Sequence, residues 1–272
     1  MKDKVVHLIL TRFNLALGFG NKKPPTSKLW LNERYLNKRF EIFEKYTFSS
    51  FLNQTNKNFV WIVMFHKDTP NIYKDRIEIL MSSMPQFRAM FLDDEESGKV
   101  YETIEEYLQS NYSECRVITT RVDNDDVVHA TFVERIQRDA ALIGEKNCIL
   151  SYLNGLQYDE KKRRILKYKY PNNHFTSLIA QPACLGENIL RYNHVYIGNA
   201  DVYKEYKKTQ VPLWVEVVHG DNVSNELHWR FRDIFVPYGI KYEYSLSLQW
   251  DSILTYIFYL AKQTFLVLYY WV

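Results

Sequence analysis

An α/β fold with a mostly parallel central sheet flanked by helices is what this sequence predicts, on three observations. Short, almost continuous apolar runs alternate with stretches of helical period through the first half of the chain. The 272 residues are enough for one large domain with its own core. No internal repeat or low-complexity linker divides them.

The elements follow in order. Val5 to Thr11 is a compact apolar run that reads as a buried parallel strand, and a polar loop with Gly18, Gly20, Pro24 and Pro25 comes after it. From Leu31 to about Tyr46, Leu36, Phe40 and Phe43 recur at helical spacing, which predicts an amphipathic helix covering a sheet. Phe59 to Phe65 is a second strand, Pro70 to Met81 a helix, and Phe87 to Leu92 a third strand. A helical stretch from Val100 to Leu108 precedes a fourth strand at Cys115 to Val122. Ala130 to Ile143 sets Phe132, Ile136, Ala140 and Ile143 on one helical face.

Beyond Cys148 the runs shorten and turn signals appear at Asn154-Gly155, Pro171-Asn172-Asn173 and Val211-Pro212, so β-rich or irregular structure is expected. A subdomain change is placed near Leu150, dividing one domain into halves at 1–150 and 151–245 with an apolar helix at 246–272.

Composition excludes several classes. A formal net charge of +3 is too mild for a nucleic-acid-binding face. Cys115, Cys148 and Cys184 are odd in number and form no CxxC pair, which argues for a reducing compartment and against a zinc site or disulfide framework. The apolar stretch Val5 to Leu10 is too short for a secretion signal and runs into Arg12, so a cytoplasmic protein is expected. Aromatic residues make up 16% of the chain, more than a core requires, and suit a groove for sugar rings or lipid.

Chemistry concentrates in TRVDNDD at Thr120 to Asp126. Asp123, Asp125 and Asp126 follow the carboxyl end of a predicted strand, the edge at which open α/β sheets bind ligands. Carboxylates this close repel one another unless solvated or bridged by a cation, and hard cations such as Mg²⁺ or Mn²⁺ bridge carboxylates to a substrate diphosphate. An acidic turn capping the next helix is the plain alternative. Arg121 just before them could brace a carboxylate or reach a phosphate oxygen.

Three blocks, HLILTRFN at His7 to Asn14, TRVDNDD at Thr120 to Asp126, and WVEVVHGDNVSN at Trp214 to Asn225, resemble a bacterial rhamnosyltransferase family with a GT-A-like, nucleotide-sugar-binding glycosyltransferase fold. A softer fourth, FVWIVMFHKDTP at Phe59 to Pro70, places His66 where that family usually has an acidic residue. The resemblance spans roughly the first 225 residues. It implies a DxD-type metal and ribose site at Asp123, Asp125 and Asp126, completed by His219, with Gly220 and Asn222 beside it at the diphosphate. Thr11, Arg12 and Asn14 would meet the nucleotide, and Arg12 would pair a phosphate or stack on a base. It further implies a nucleotide-sugar donor and a cell-surface glycan or lipid-linked acceptor. A general base would come from Glu187, Asp201, Glu216 or Asp221, among which the sequence does not choose.

Two other functions share these features. Clustered aspartates at a strand end also serve metal-dependent nucleotide or phosphoester hydrolases, although no GxxxxGK[ST] loop is present. A non-catalytic glycan-binding protein would account for the aromatic content. The basic run EKKRRILKYKY at Glu160 to Tyr170 fits a solvated hairpin or a surface for anionic partners. The apolar tail from Trp250 carries Lys262 in its middle, so a helix lying against the inner membrane face, or docked on protein, is expected ahead of a spanning one.

Overall fold

A computed structural model of the chain describes residues 4–15, 28–144, 146–161, 164–182, 187–192, 201–219 and 244. Its main sheet holds β1 (Val5–Arg12), β2 (Val60–His66), β3 (Phe87–Leu92), β4 (Arg116–Arg121), β6 (Cys148–Tyr152), β9 (Ser177–Ala180) and β10 (Tyr203–Lys207). The strand order is β10-β6-β9-β4-β1-β2-β3. The pairs β1–β2, β2–β3, β1–β4 and β6–β10 are parallel, and β9 alone runs against its neighbours β4 and β6. A second sheet joins β5 (Val127–Val128), β11 (Trp214–Val218), β7 (Asn154–Asp159) and β8 (Arg164–Lys169) in that order. Position 150, where the sequence suggests a subdomain change, falls inside β6, so the second half supplies three strands of the main sheet.

The apolar runs are continuous because the central strands are buried on both faces. Ile9, Trp61, Val63, Phe65, Phe87 and Ile118 pack on one side beneath α1 (Glu33–Phe43), α3 (Asn71–Ser83) and α6 (Phe132–Ile143). Leu8, Leu10, Ile62, Met64 and Val117 face the other side, covered by Ile104 and Leu108 of α5 (Val100–Tyr112). Asn32 caps α1 by accepting from the amides of Arg34 and Tyr35, and Leu36, Phe40 and Phe43 turn inward. A π-helical stretch Glu44–Phe48 carries α1 into α2 (Ser49–Leu52).

Two local features depart from the expectations. Asp93 to Glu96 form a capping box that starts the short helix α4 (Asp94–Gly98), too brief to show an apolar stripe. Asn154-Gly155 is no turn: it opens β7, and a β-carbon on Gly155 would come within 2.2 Å of the Trp214 ring. Glycine is needed there for close approach of an indole to backbone. Trp214 donates to the Tyr152 carbonyl at 2.8 Å and stacks on Phe175 at 5.0 Å.

The basic run forms the outer arm of the β7–β8 hairpin, with Lys167 and Lys169 exposed and Tyr168 and Tyr170 half-buried. Cys115 and Cys148 are free and buried. Among the described residues no helix is long and apolar enough to cross a membrane, and the predicted apolar helix at 246–272 lies outside them.

His7 illustrates how polar groups lock the strands. Its ring is 2% exposed; Nε2 is bonded to the Thr120 hydroxyl at 2.8 Å and Nδ1 accepts from the Gln137 amide at 3.4 Å. Burial lowers its pKa to about 3, so the folded protein holds it neutral. The unfolded chain takes up a proton near pH 6.5 and the folded chain does not, so this contribution to stability is complete above pH 6.5 and declines as pH falls. In urea unfolding, the protein is expected to lose about 2 kcal/mol more than His7→Gln between pH 7 and pH 5. Parallel stability curves for the two would show that His7 titrates freely in the fold.

Candidate active site

The acidic turn is built on the carboxyl end of the main sheet. The Val122 amide donates to the Leu10 carbonyl at 3.2 Å, and the Thr11 hydroxyl donates to the Val122 carbonyl at 2.8 Å. Asn124 donates to the carbonyls of Arg12 and Phe13 at 2.8 and 2.9 Å. Its side chain thus ties the turn to the end of β1, and the turn then closes into β5.

Each aspartate in this turn has a different counter-group. Asp123 receives Nε and Nη2 of Arg121 on its two oxygens, at 3.1 and 3.0 Å. Asp125 meets Nη1 and Nη2 of Arg39 from α1, both at 3.3 Å from Oδ2, and His219 Nε2 approaches the same oxygen at 3.1 Å. Arg39 Nη2 also contacts the Asn124 side-chain oxygen. Asp126 is fully buried; its Oδ1 accepts from the Val217 amide at 3.0 Å and its Oδ2 lies 2.5 Å from His174 Nε2. The His174 ring stacks on Phe175 at 4.3 Å, which Trp214 backs from behind, so the histidine is held by the second sheet.

The charges are strongly coupled. Burial raises the Asp123 carboxyl, but Arg121, His174 and Arg12 together outweigh it and hold the group well below the usual carboxylate range. Burial and the neighbouring Arg121 pull Arg12 down to about 10, which leaves it cationic at neutral pH. For Asp126 burial pushes the carboxyl up against the pull of His174, whereas Asp126 holds the His174 imidazole above its ordinary range despite burial.

The turn thus gathers Arg12, Arg121, Asp123, Asp125, Asp126 and His219 from the sequence expectations. Asp123, Asp126 and His174 also offer one ligand atom each within 4.8 Å of one another. Asp126, however, already spends both oxygens on protein partners. Asp125 and His219 bring an oxygen and a nitrogen to 3.1 Å, and Asp123 is the more exposed of the aspartates in the same turn. Those oxygen and imidazole donors fit Mn²⁺ or Mg²⁺.

Other predicted residues lie elsewhere. Thr11 is fully buried, its hydroxyl also accepting from Trp61 Nε1 at 3.0 Å. Asn14 donates to the Trp30 carbonyl and the Thr69 hydroxyl and accepts from the His66 amide. Both side chains therefore serve the fold in this structure. His66 is buried against Asp94 at 2.8 Å. Glu216 is buried on β11 and accepts from Gln157 at 2.8 Å. Glu187 accepts from the Tyr192 hydroxyl at 3.4 Å, and Asp201 is exposed. Among the described residues neither bonds to the aspartates, and Gly220, Asp221 and Asn222 lie outside the described residues. Arg39 and His174 carry no signal of their own in the sequence, since each reaches the turn from a distant segment, and Asn124 stands within the turn between two aspartates.

No curated protein matches the chain. Among solved structures it is similar to S. aureus TarS residues 1–349, with 12% identity, a TM-score of 0.43, and coverage of 79% of this chain and 60% of that one. S. aureus TarS matches with 8% identity and a TM-score of 0.42 over 79% of this chain and 37% of that one. A 4-diphosphocytidyl-2C-methyl-D-erythritol synthase matches with 13% identity and a TM-score of 0.38 over 76% and 89%. The chain therefore spans 60% and 37% of the two TarS chains. The family model described as "Putative rhamnosyl transferase" matches residues 6–230, which include every strand of both sheets except the first residue of β1, together with the whole acidic turn. A mixed α/β protein with a central sheet flanked by helices, this chain belongs to that family of glycosyltransferases.

Proposed function

We propose that the protein is a divalent-cation-dependent hexosyltransferase that moves a sugar, rhamnose by its family's description, from a nucleotide-sugar donor to a cell-surface glycan or lipid-linked acceptor. The observation that carries this reading is the gathering of carboxylates and imidazoles at the carboxyl edge of a parallel sheet: Asp123, Asp126 and His174 offer ligand atoms within 4.8 Å of one another, Asp125 meets His219 at 3.1 Å, and Arg39 and Arg121 bond to Asp125 and Asp123. Carboxylates and an imidazole suit a cation, and arginines around them suit a diphosphate.

Asp123, Asp125 and His219 would hold Mn²⁺ or Mg²⁺, which when bound supplies Lewis-acid stabilisation of the departing diphosphate. Asp126 and His174 instead fix the turn to the second sheet, so that the aspartates before them keep their positions. Glu216 stands on β11 next to Val217, but its carboxylate is buried and accepts from Gln157, so the general base is not assigned among the described candidates.

The test is a thermal-shift screen against UDP, GDP and dTDP and their sugars, each with and without Mn²⁺. A rise in melting temperature that needs both nucleotide and metal is the expected result, and it names the base of the donor. If no nucleotide shifts the transition, with or without metal, the transferase reading is wrong. Steady release of nucleoside diphosphate unaffected by added glycan acceptors would point to a hydrolase.

A further inference from the structure

Arg39 stands out because its present bonds leave it only partly satisfied. Leu36, Phe40, Ile42 and Phe43 are the buried residues of α1, and Arg39 lies on the same helical face, between Ile42 and Phe43, with its side chain 15% exposed. Arg121 grips Asp123 with two nitrogens on two oxygens. Arg39 places both its terminal nitrogens at 3.3 Å from one oxygen of Asp125, and that oxygen also meets His219 at 3.1 Å. Three donors thus crowd a single acceptor, a poor use of a guanidinium fork. The Nε donor of Arg39 is buried and finds no hydrogen-bond partner among the described residues. A buried donor in that condition is costly, and an acceptor with several oxygens would satisfy it.

We propose that Arg39 is shared between two anions: Asp125, which it holds in this structure, and the diphosphate of a nucleotide-linked donor, to which it transfers when a divalent cation neutralises Asp125. This rests on the transferase reading above. A cation and a guanidinium repel each other at one carboxylate oxygen, so cation binding at Asp125 releases Arg39. Phosphate oxygens then offer the bidentate acceptors that the single Asp125 oxygen does not. The move is local, since Arg12 and Arg121 already make the neighbourhood cationic and Asn124, the other partner of Arg39, is anchored to the end of β1.

The proposal makes the two ligands respond in opposite directions to one substitution. In Arg39→Met, Mn²⁺ alone is expected to bind several-fold tighter, because a competing charge is gone, as read from the electron paramagnetic resonance of free Mn²⁺. Affinity for UDP, GDP or dTDP at saturating Mn²⁺, whichever the intact protein binds, should fall about tenfold or more by calorimetry, the loss of a charged hydrogen bond. Arg39→Lys should lie between the two, and Arg39→Gln repeats the measurement if the methionine variant does not fold. Mn²⁺ and nucleotide affinities that weaken together would make Arg39 a structural brace and overturn the proposal. So would affinities that both stay unchanged. If the unmodified protein binds neither Mn²⁺ nor any of the three nucleotides, the transferase reading itself fails and this inference goes with it.

Discussion

Replacing Asp125 with asparagine is expected to lower sugar transfer about a hundred- to a thousandfold, the scale seen when one preorganised stabiliser of developing charge is removed. Asparagine keeps the shape and one carbonyl oxygen but loses the charge with which, on the proposed reading, this oxygen would hold a cation. Arg39 and His219 then face a neutral acceptor, and because the asparagine carbonyl oxygen still accepts a hydrogen bond from them the fold should tolerate the change. The measurement is Mn²⁺-dependent release of nucleoside diphosphate from the donor identified by thermal shift, paired with direct Mn²⁺ binding. Both should collapse while the melting temperature stays near that of the unmodified protein. Normal turnover in Asp125→Asn would remove this carboxylate from the chemistry and shift attention to Asp123, Asp126 and His174, whose ligand atoms also cluster.

Much of the scaffold was legible because burial on both faces writes itself into a strand as a continuous apolar run. β1, β2, β3 and β4 lie within a residue or two of the apolar runs that predict them, and α1 and α6 coincide with the apolar stripes that predict them. The position of β9, reversed between β4 and β6, was not legible, because strand order depends on partners far apart in sequence. The same limit applies to the site. The three aspartates share one local segment, so a strand end followed by carboxylates announced them. Their counter-groups come from afar: Arg39 lies 86 positions from Asp125, and His174 lies 48 from Asp126. Neither sits in a pattern that differs from an ordinary helix surface or turn. His219 was reached through family resemblance alone. Thr11 and Asn14, polar residues at the end of the first strand, show that local sequence does not separate a ligand contact from a structural one. In the fold both side chains are occupied in joining β1 to its neighbours.

Asp126 separates two ways of building this site, and its substitution should have the largest effect on stability. In Asp126→Ala the Val217 amide and the His174 imidazole both lose a buried acceptor. Breaking a buried charged pair from one side costs about 3–5 kcal/mol, here with an orphaned amide in addition. For a chain of this size the melting temperature should fall by roughly 10 °C. Asp126→Asn can still accept from Val217, and it should recover most of that loss. On the proposed reading, in which Asp126 positions the turn, it should also retain Mn²⁺ affinity within a few-fold. The decisive comparison is therefore Asn at position 125 against Asn at position 126, measured by Mn²⁺ binding at equal foldedness. If the Asp126 variant loses the metal as completely as the Asp125 variant, the cation belongs with Asp123, Asp126 and His174. The pairing of Asp125 with His219 would then be a structural contact at the end of β11. If only the Asp125 variant loses it, a fully buried carboxylate is holding a partly exposed one in place: Asp126 fixes the second sheet to the turn, and the turn presents Asp125 to the cation.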